Sequence, residues 1–166
     1  VITGIGNYSG SKTQYFDITA AVGKTYTNGN YRYKITNASL NGKGTVTLVS
    51  VVKKTKTVAV PDTIKLGGRT FKVTAIGKAA FNKNVKVTKI TLGRNVKTIG
   101  ARAFYGCKKL RTVVIKNTQM TGKTVGAKAF KGTYAKLTVK VPAKKLKSYK
   151  KILLNRGVSK KAVIKK

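Results

Sequence analysis

One six-residue phrase is written three times in this chain: IGKAAF at 76–81, IGARAF at 99–104 and VGAKAF at 125–130. The steps between copies are 23 and 26 residues. When the copies are aligned on Phe81, Phe104 and Phe130, other positions fall into phase. Nine residues on stand Ile90, Val113 and Val139, and eleven on stand Leu92, Ile115 and Val141. Apolar residues two apart have the period of a half-buried strand. A half copy precedes them, with Val58 and Val60 at the strand positions and Pro61 matching Pro142. A copy this short cannot bury its own apolar side. Stacking the copies builds a continuous core, with Ile76, Ile99 and Val125 in one column and the three phenylalanines in another. The alanine before each Phe is expected to allow close approach of neighbouring rungs. The glycine of each phrase is expected to take a turn conformation that a side chain would strain.

A period of 20–29 residues with one short strand per copy is the mark of a leucine-rich-repeat solenoid. The residues 99–115, IGARAFYGCKKLRTVVI, resemble the BspA-type leucine-rich repeat of bacterial surface proteins. That pattern runs I-G-x-x-A-F-x-x-C-x-x-L-x-x-V-x-I-P-x-x-V-x-x-I-G. The copy at 76–92 carries Asn84 at the Cys position, and the copy at 125–142 carries Thr133 there and Lys136 at the Leu position. The resemblance covers about residues 56–142. It implies that Cys107 and Leu110 are buried in the stack, as a lone Cys commonly is.

The expected fold is therefore mainly β with short helical turns: a solenoid of about three to four repeats between two caps. Residues 23–55 read as a β N-terminal cap, 56–142 as the repeats and 143–166 as a C-terminal helix and strand cap. TYTNGNYRYKIT at 25–36 sets Asn28-Gly29 between strand-like flanks, the signal of a hairpin. Gly67-Gly68 predicts a second hairpin within 62–75, and 45–60 supplies one or two further strands. In AKKLKSYKKILLNR (143–156), Leu146, Tyr149, Ile152 and Leu153 recur at helical spacing, with Gly157 as the stop. This basic amphipathic helix can close the open end of the stack, or lie on a membrane or in a partner's groove. Ala162 to Ile164 suit a last short strand. Residues 1–18, with GNYSG and KTQYFDI, weakly resemble the end of a bacterial immunoglobulin-like module. The segment 1–22 reads either as the remnant of such a module or as a private linker hairpin. The opening at Val1, inside a strand-like stretch, reads as a piece cut from a longer protein.

Composition limits the chemistry. Against 37 Lys and Arg stand two acids, Asp17 and Asp62, for a net charge of +35, and there is no His. General acid–base catalysis needs His or paired carboxylates, and metal sites need clustered ligands. No catalytic, metal or cofactor residue is assigned, and the chain reads as a non-enzyme. No apolar run is long enough for a membrane-spanning helix. Residues 61–166 hold 29 of the basic groups and one acid. Lysine outnumbers arginine 31 to six, which suits polyanion attraction better than bidentate readout.

In such a solenoid the residues between strand core positions face outward. Thr57, Ala59, Lys89, Thr91, Thr112, Val114, Thr138 and Lys140 would form that face. Lys89, Thr91, Arg111, Val114 and Lys140 are the candidate ligand-facing residues. The face lacks the aromatic anchors of a tight protein interface. The resemblance implies a surface or secreted module that adheres to host or microbial proteins, and the chain is expected to be a monomer. The charge adds anionic polymers, such as teichoic acid or sulfated glycans. A structural spacer in a longer surface protein is the alternative, and nucleic acid is expected to bind only without sequence preference.

Overall fold

The computed structural model describes residues 22–39 and 42–166. The immunoglobulin-like reading of residues 1–18 lies outside the described residues. A first hairpin pairs β1 (Thr25–Asn28) with β2 (Tyr31–Asn37), and β2 continues antiparallel onto β3 (Thr45–Val51). After β4 (Thr57–Val60), a second hairpin joins β5 (Thr63–Leu66) to β6 (Arg69–Ile76) across Gly67 and Gly68, both at positive φ. Then come β7 (Lys89–Leu92), β8 (Thr98–Ile99), β9 (Thr112–Ile115) and β10 (Thr138–Lys140). A 3₁₀ turn at Ala143–Lys145 leads into α1 (Leu146–Asn155), and β11 (Val163–Lys165) ends the chain.

Two sheets result. The repeats supply an all-parallel sheet in the order β11-β10-β9-β7-β4. Its register stacks Val58, Ile90, Val113, Val139 and Ile164 in one column, with Val60, Leu92 and Ile115 in the next. The second sheet runs β1-β2-β3-β6-β5, with β8 added beside β6. Its strands β3 and β6 are parallel, so Leu48 pairs with Ile76, Ile76 with Ile99, and Ile99 with Val125. The two N-terminal hairpins are thus hydrogen-bonded into the repeat column. The sheet curls far enough for the Asn28 side-chain amide on β1 to donate to Lys65 O on β5 at 3.0 Å.

The phrase itself forms the turn of each rung, and its backbone bonds run along the stack. Ala79, Phe81 and Lys83 donate their N–H groups to Ala101, Ala103 and Tyr105 carbonyls at 3.0, 2.8 and 2.7 Å. One rung later Arg102, Phe104 and Gly106 donate to Ala127, Ala129 and Lys131 at 3.1, 2.8 and 2.9 Å. Such turns have no sheet or helix of their own, so these bonds are what satisfies their donors.

The expectation about the phrase glycines is corrected here. The positive φ angles sit two residues later, at Ala79, Arg102 and Lys128 (55°, 55° and 54°). Gly100 and Gly126 are glycine because the previous rung's backbone leaves no room. A Cβ on Gly100 would lie 2.5 Å from Lys78 N, and one on Gly126 2.3 Å from Ala101 N. The close approach is imposed by the bonds from Gly100 N to Ile76 O and from Gly126 N to Ile99 O, at 2.8 and 2.7 Å.

The core follows the columns. Ile76, Phe81, Ile90, Leu92, Ile99, Phe104, Cys107, Leu110, Val113, Ile115, Val125, Phe130, Val139 and Val141 are all buried. Phe81, Phe104 and Phe130 stack at centroid separations of 5.3 and 5.2 Å, close to the roughly 4.8 Å between paired strands. Tyr31 of the first hairpin continues the ladder onto Phe81 at 6.4 Å. In the third rung the alignment slips: Lys136 is exposed, and Leu137 fills the buried place that Leu110 holds one rung earlier. At the far end α1 turns Tyr149 and Leu153 inward. Tyr149 Oη accepts Met120 N–H at 2.9 Å and donates to Asn117 O at 3.0 Å, fastening the helix to the preceding loop. Arg156 also ties down the helix end, donating from Nε to Val125 O and from a terminal guanidinium nitrogen to Gly122 O, at 2.6 and 2.7 Å.

Candidate interaction surfaces

The outward residues of the parallel sheet form two rows. Register aligns Thr57, Lys89, Thr112, Thr138 and Val163 in the first, and Ala59, Thr91, Val114, Lys140 and Lys165 in the second. Lys89 and Lys140 are exposed, while Thr91 and Val114 are half-buried between their neighbours. Arg111 stands just before β9, and its guanidinium lies over the Tyr134 ring at 3.4 Å from the centroid. That cation–π contact crosses from one rung to the next and engages Arg111 within the protein. The candidates therefore split: Lys89, Thr91, Val114 and Lys140 share the strand face, and Arg111 packs on a neighbouring rung.

Charge is denser on the turn side and the helix. Lys78, Lys83, Lys86, Lys108, Lys109 and Lys131 are exposed around the phrase turns. On α1, Lys147, Lys150 and Lys151 are exposed opposite the buried stripe. The acidic side offers almost nothing in return. With two carboxylate side chains in the whole sequence, the excess of 35 positive charges has no acidic side chain to meet. Asp62 is itself used by the fold: its carboxylate accepts the backbone N–H of Arg94 at 2.5 Å. This excess field draws anions toward the surface and weakens as salt screens it.

Cys107 is the one thiol, and its surroundings make it a poor nucleophile. It is buried, its S–H donates to Phe81 O at 3.0 Å, and burial pushes its pKa up to about 11. The thiolate is the reactive form, so at neutral pH the group is inert. The native protein should resist a thiol reagent at pH 7.5 and take up one equivalent when denatured. Because the folded pKa is raised, this thiol's stabilising contribution is full below its unfolded value near 8.5. It is lost as pH rises through about 11. Protection that vanished by pH 8 in the folded protein would contradict this placement.

Among the described residues no group of three or more His, Cys, Asp or Glu lies together, and no helix is long and apolar enough to cross a membrane.

The arrangement of parallel strands and stacked turns recurs in known proteins. The family model described as "BspA type Leucine rich repeat region" matches residues 52–156 in six copies. A leucine-rich cell surface protein of Faecalibacterium prausnitzii superposes with a TM-score of 0.56 at 23% identity, over 71% of this chain. This chain spans only 36% of that protein's chain. A leucine-rich repeat protein of Bacteroides capillosus superposes at 0.51 with 17% identity, covering 84% of this chain and 97% of its own. The leucine-rich repeat protein of T. pallidum does so at 0.50 with 17% identity, covering 73% of each chain. No curated protein matches in sequence.

Proposed function

Because the chain belongs to the BspA-type leucine-rich-repeat family, we propose that it is a non-enzymatic interaction module of a bacterial surface whose basic turns and helix hold an anionic polymer. The observation that carries this reading is the net charge of +35 in the sequence, together with the exposed lysines on the turns and helix of the described residues. Lysine's compact, well-hydrated charge suits attraction to a polyanion over bidentate recognition. The surface location is supported by the description of the F. prausnitzii neighbour as a cell surface protein. The inertness of Cys107 and the lack of His support a non-catalytic role.

A spacer role is the second reading, favoured by one observation. The strand face presents Thr, Ala, Val and Lys in its rows and lacks the Trp, Tyr and Arg anchors of binding hot spots. The two are separated by titrating the protein against wall teichoic acid, heparin, DNA and fibronectin at about 50 and 500 mM salt. Lysine-driven capture should bind all three polyanions at low salt and lose roughly 100-fold or more in affinity at high salt, as the Debye length contracts from roughly 14 Å to roughly 4 Å and counterion release weakens. No retention of any polyanion at low salt would leave the spacer. Fibronectin held at high salt would instead point to protein adhesion.

A further inference from the structure

The turn side carries a feature that the general field does not explain. The second residue after each ladder phenylalanine is Lys83, Gly106 or Gly132, and all three have left-handed backbones, at φ 51°, 68° and 77°. Two rungs use glycine, for which that conformation carries no strain. The first rung keeps a lysine there, against the preference of any residue with a Cβ. A positive φ on a residue with a side chain recurs in every rung, at Ala79, Arg102 and Lys128; what sets the first rung apart is that its lysine stem lies beside the glycine of the next.

A shallow groove lies there, lined by Lys83, Val85, Tyr105, Gly106, Lys108 and Gly132. The two glycines leave bare backbone as part of its floor. A Cβ on Gly132 would stand 3.4 Å from Gly106 N and Cα, and one on Gly106 would stand 3.3 Å from Lys83 Cγ. The Lys83 stem thus runs beside Gly106. Val85 is 52% exposed and Tyr105 is partly exposed, so the groove's lining combines apolar and aromatic residues with two lysines. A side-chain-free floor beside an aromatic ring is a fitting bed for a flat-lying sugar ring, and the lysines supply attraction for its acidic substituents. A polyanion without rings would use the lysines and leave Tyr105 and Val85 unused.

The geometry points to an acidic polysaccharide in this groove, one sugar ring on Tyr105 and its carboxylate or sulfate groups drawn by Lys83 and Lys108. This assignment rests on the proposal that the basic surface takes anionic polymers. It goes further by naming a site and a ligand class.

The test uses the whole chain, with heparin as the ring-bearing probe and polyphosphate of matched charge as the ringless one. Calorimetric affinities are compared near 150 mM salt, and each variant's Tm is recorded. Lys83→Gly should weaken heparin binding at least fivefold with Tm unchanged or raised. Lys24→Ala, which removes the same charge from the exposed start of the first hairpin, away from the turns and the helix, should weaken it less than twofold. Tyr105→Ala and Tyr105→Leu should weaken heparin several-fold and leave polyphosphate unchanged. Equal losses for Lys83→Gly and Lys24→Ala would overturn the groove, since the charge would then act diffusely. So would equal effects of the Tyr105 variants on both probes, or a lowered Tm for Lys83→Gly. If the unaltered protein bound neither probe even at low salt, the polyanion reading itself would fall, and the groove with it.

Discussion

Gly126→Ala should cost about 3 kcal/mol of stability, at the upper end of what one added methyl does in a packed interior. The new Cβ would meet Ala101 N at 2.3 Å, Ala101 Cα at 2.7 Å and Gly100 C at 2.8 Å. These are backbone atoms, so no rotamer change relieves the clash. Separating the rungs would stretch the bond from Gly126 N to Ile99 O, now 2.7 Å, and its neighbours with it. For a chain of this size the Tm should fall by roughly 6–12 °C. Gly122→Ala is the matched control, because nothing lies within 4 Å of its Cβ position and its φ is not positive. It should change stability by less than about 0.5 kcal/mol. Urea unfolding of the two variants decides the matter. Equal small losses would mean that the rungs have slack, and that glycine recurs there for another reason.

That result also marks where the sequence stops being readable. The phrase spacing identified the stack, because apolar residues at fixed offsets from Phe81, Phe104 and Phe130 have no other cheap explanation. The Asn28-Gly29 and Gly67-Gly68 turns announced their hairpins through local chemistry. The role of the phrase glycines was misread because the spelling IG does not say whether a glycine is needed for its φ or for its neighbour. Only the distance from Gly100 to Lys78 separates the two. The slip from Lys136 to Leu137 was hidden because the strand positions on either side stay in phase. The parallel pairing of β3 with β6 was hidden for a different reason: it joins residues 45–48 to 72–76 through no local signal. On the surface, alternation alone sorted Lys89 and Lys140 outward. The stacking of Arg111 on Tyr134 and the groove around Gly106 depend on side chains from different rungs, and no linear pattern displays those.

Phe104→Ala should cost about 4–5 kcal/mol, the high end for emptying a core phenylalanine site. Phe104 is fully buried and stacks on both Phe81 and Phe130, with interplanar angles of 27° and 26°. Each such pair adds about 0.5–1.5 kcal/mol beyond the burial of its area. Phe130 has one partner in the ladder, so Phe130→Ala should cost about 1 kcal/mol less. A stack couples only adjacent rungs, which makes the distribution of coupling a sharper test than the size of either loss. Double-mutant cycles should give a coupling of about 0.5–1.5 kcal/mol for Phe81 with Phe104 and near zero for Phe81 with Phe130. Phe104→Leu, which leaves a smaller void, keeps the cycle measurable if alanine unfolds the chain. Coupling as large between Phe81 and Phe130 as between neighbours would show that the rungs fold as one rigid block. Coupling confined to adjacent pairs would mean that each phenylalanine is a local joint, and that the charged turns outside the ladder are positioned rung by rung.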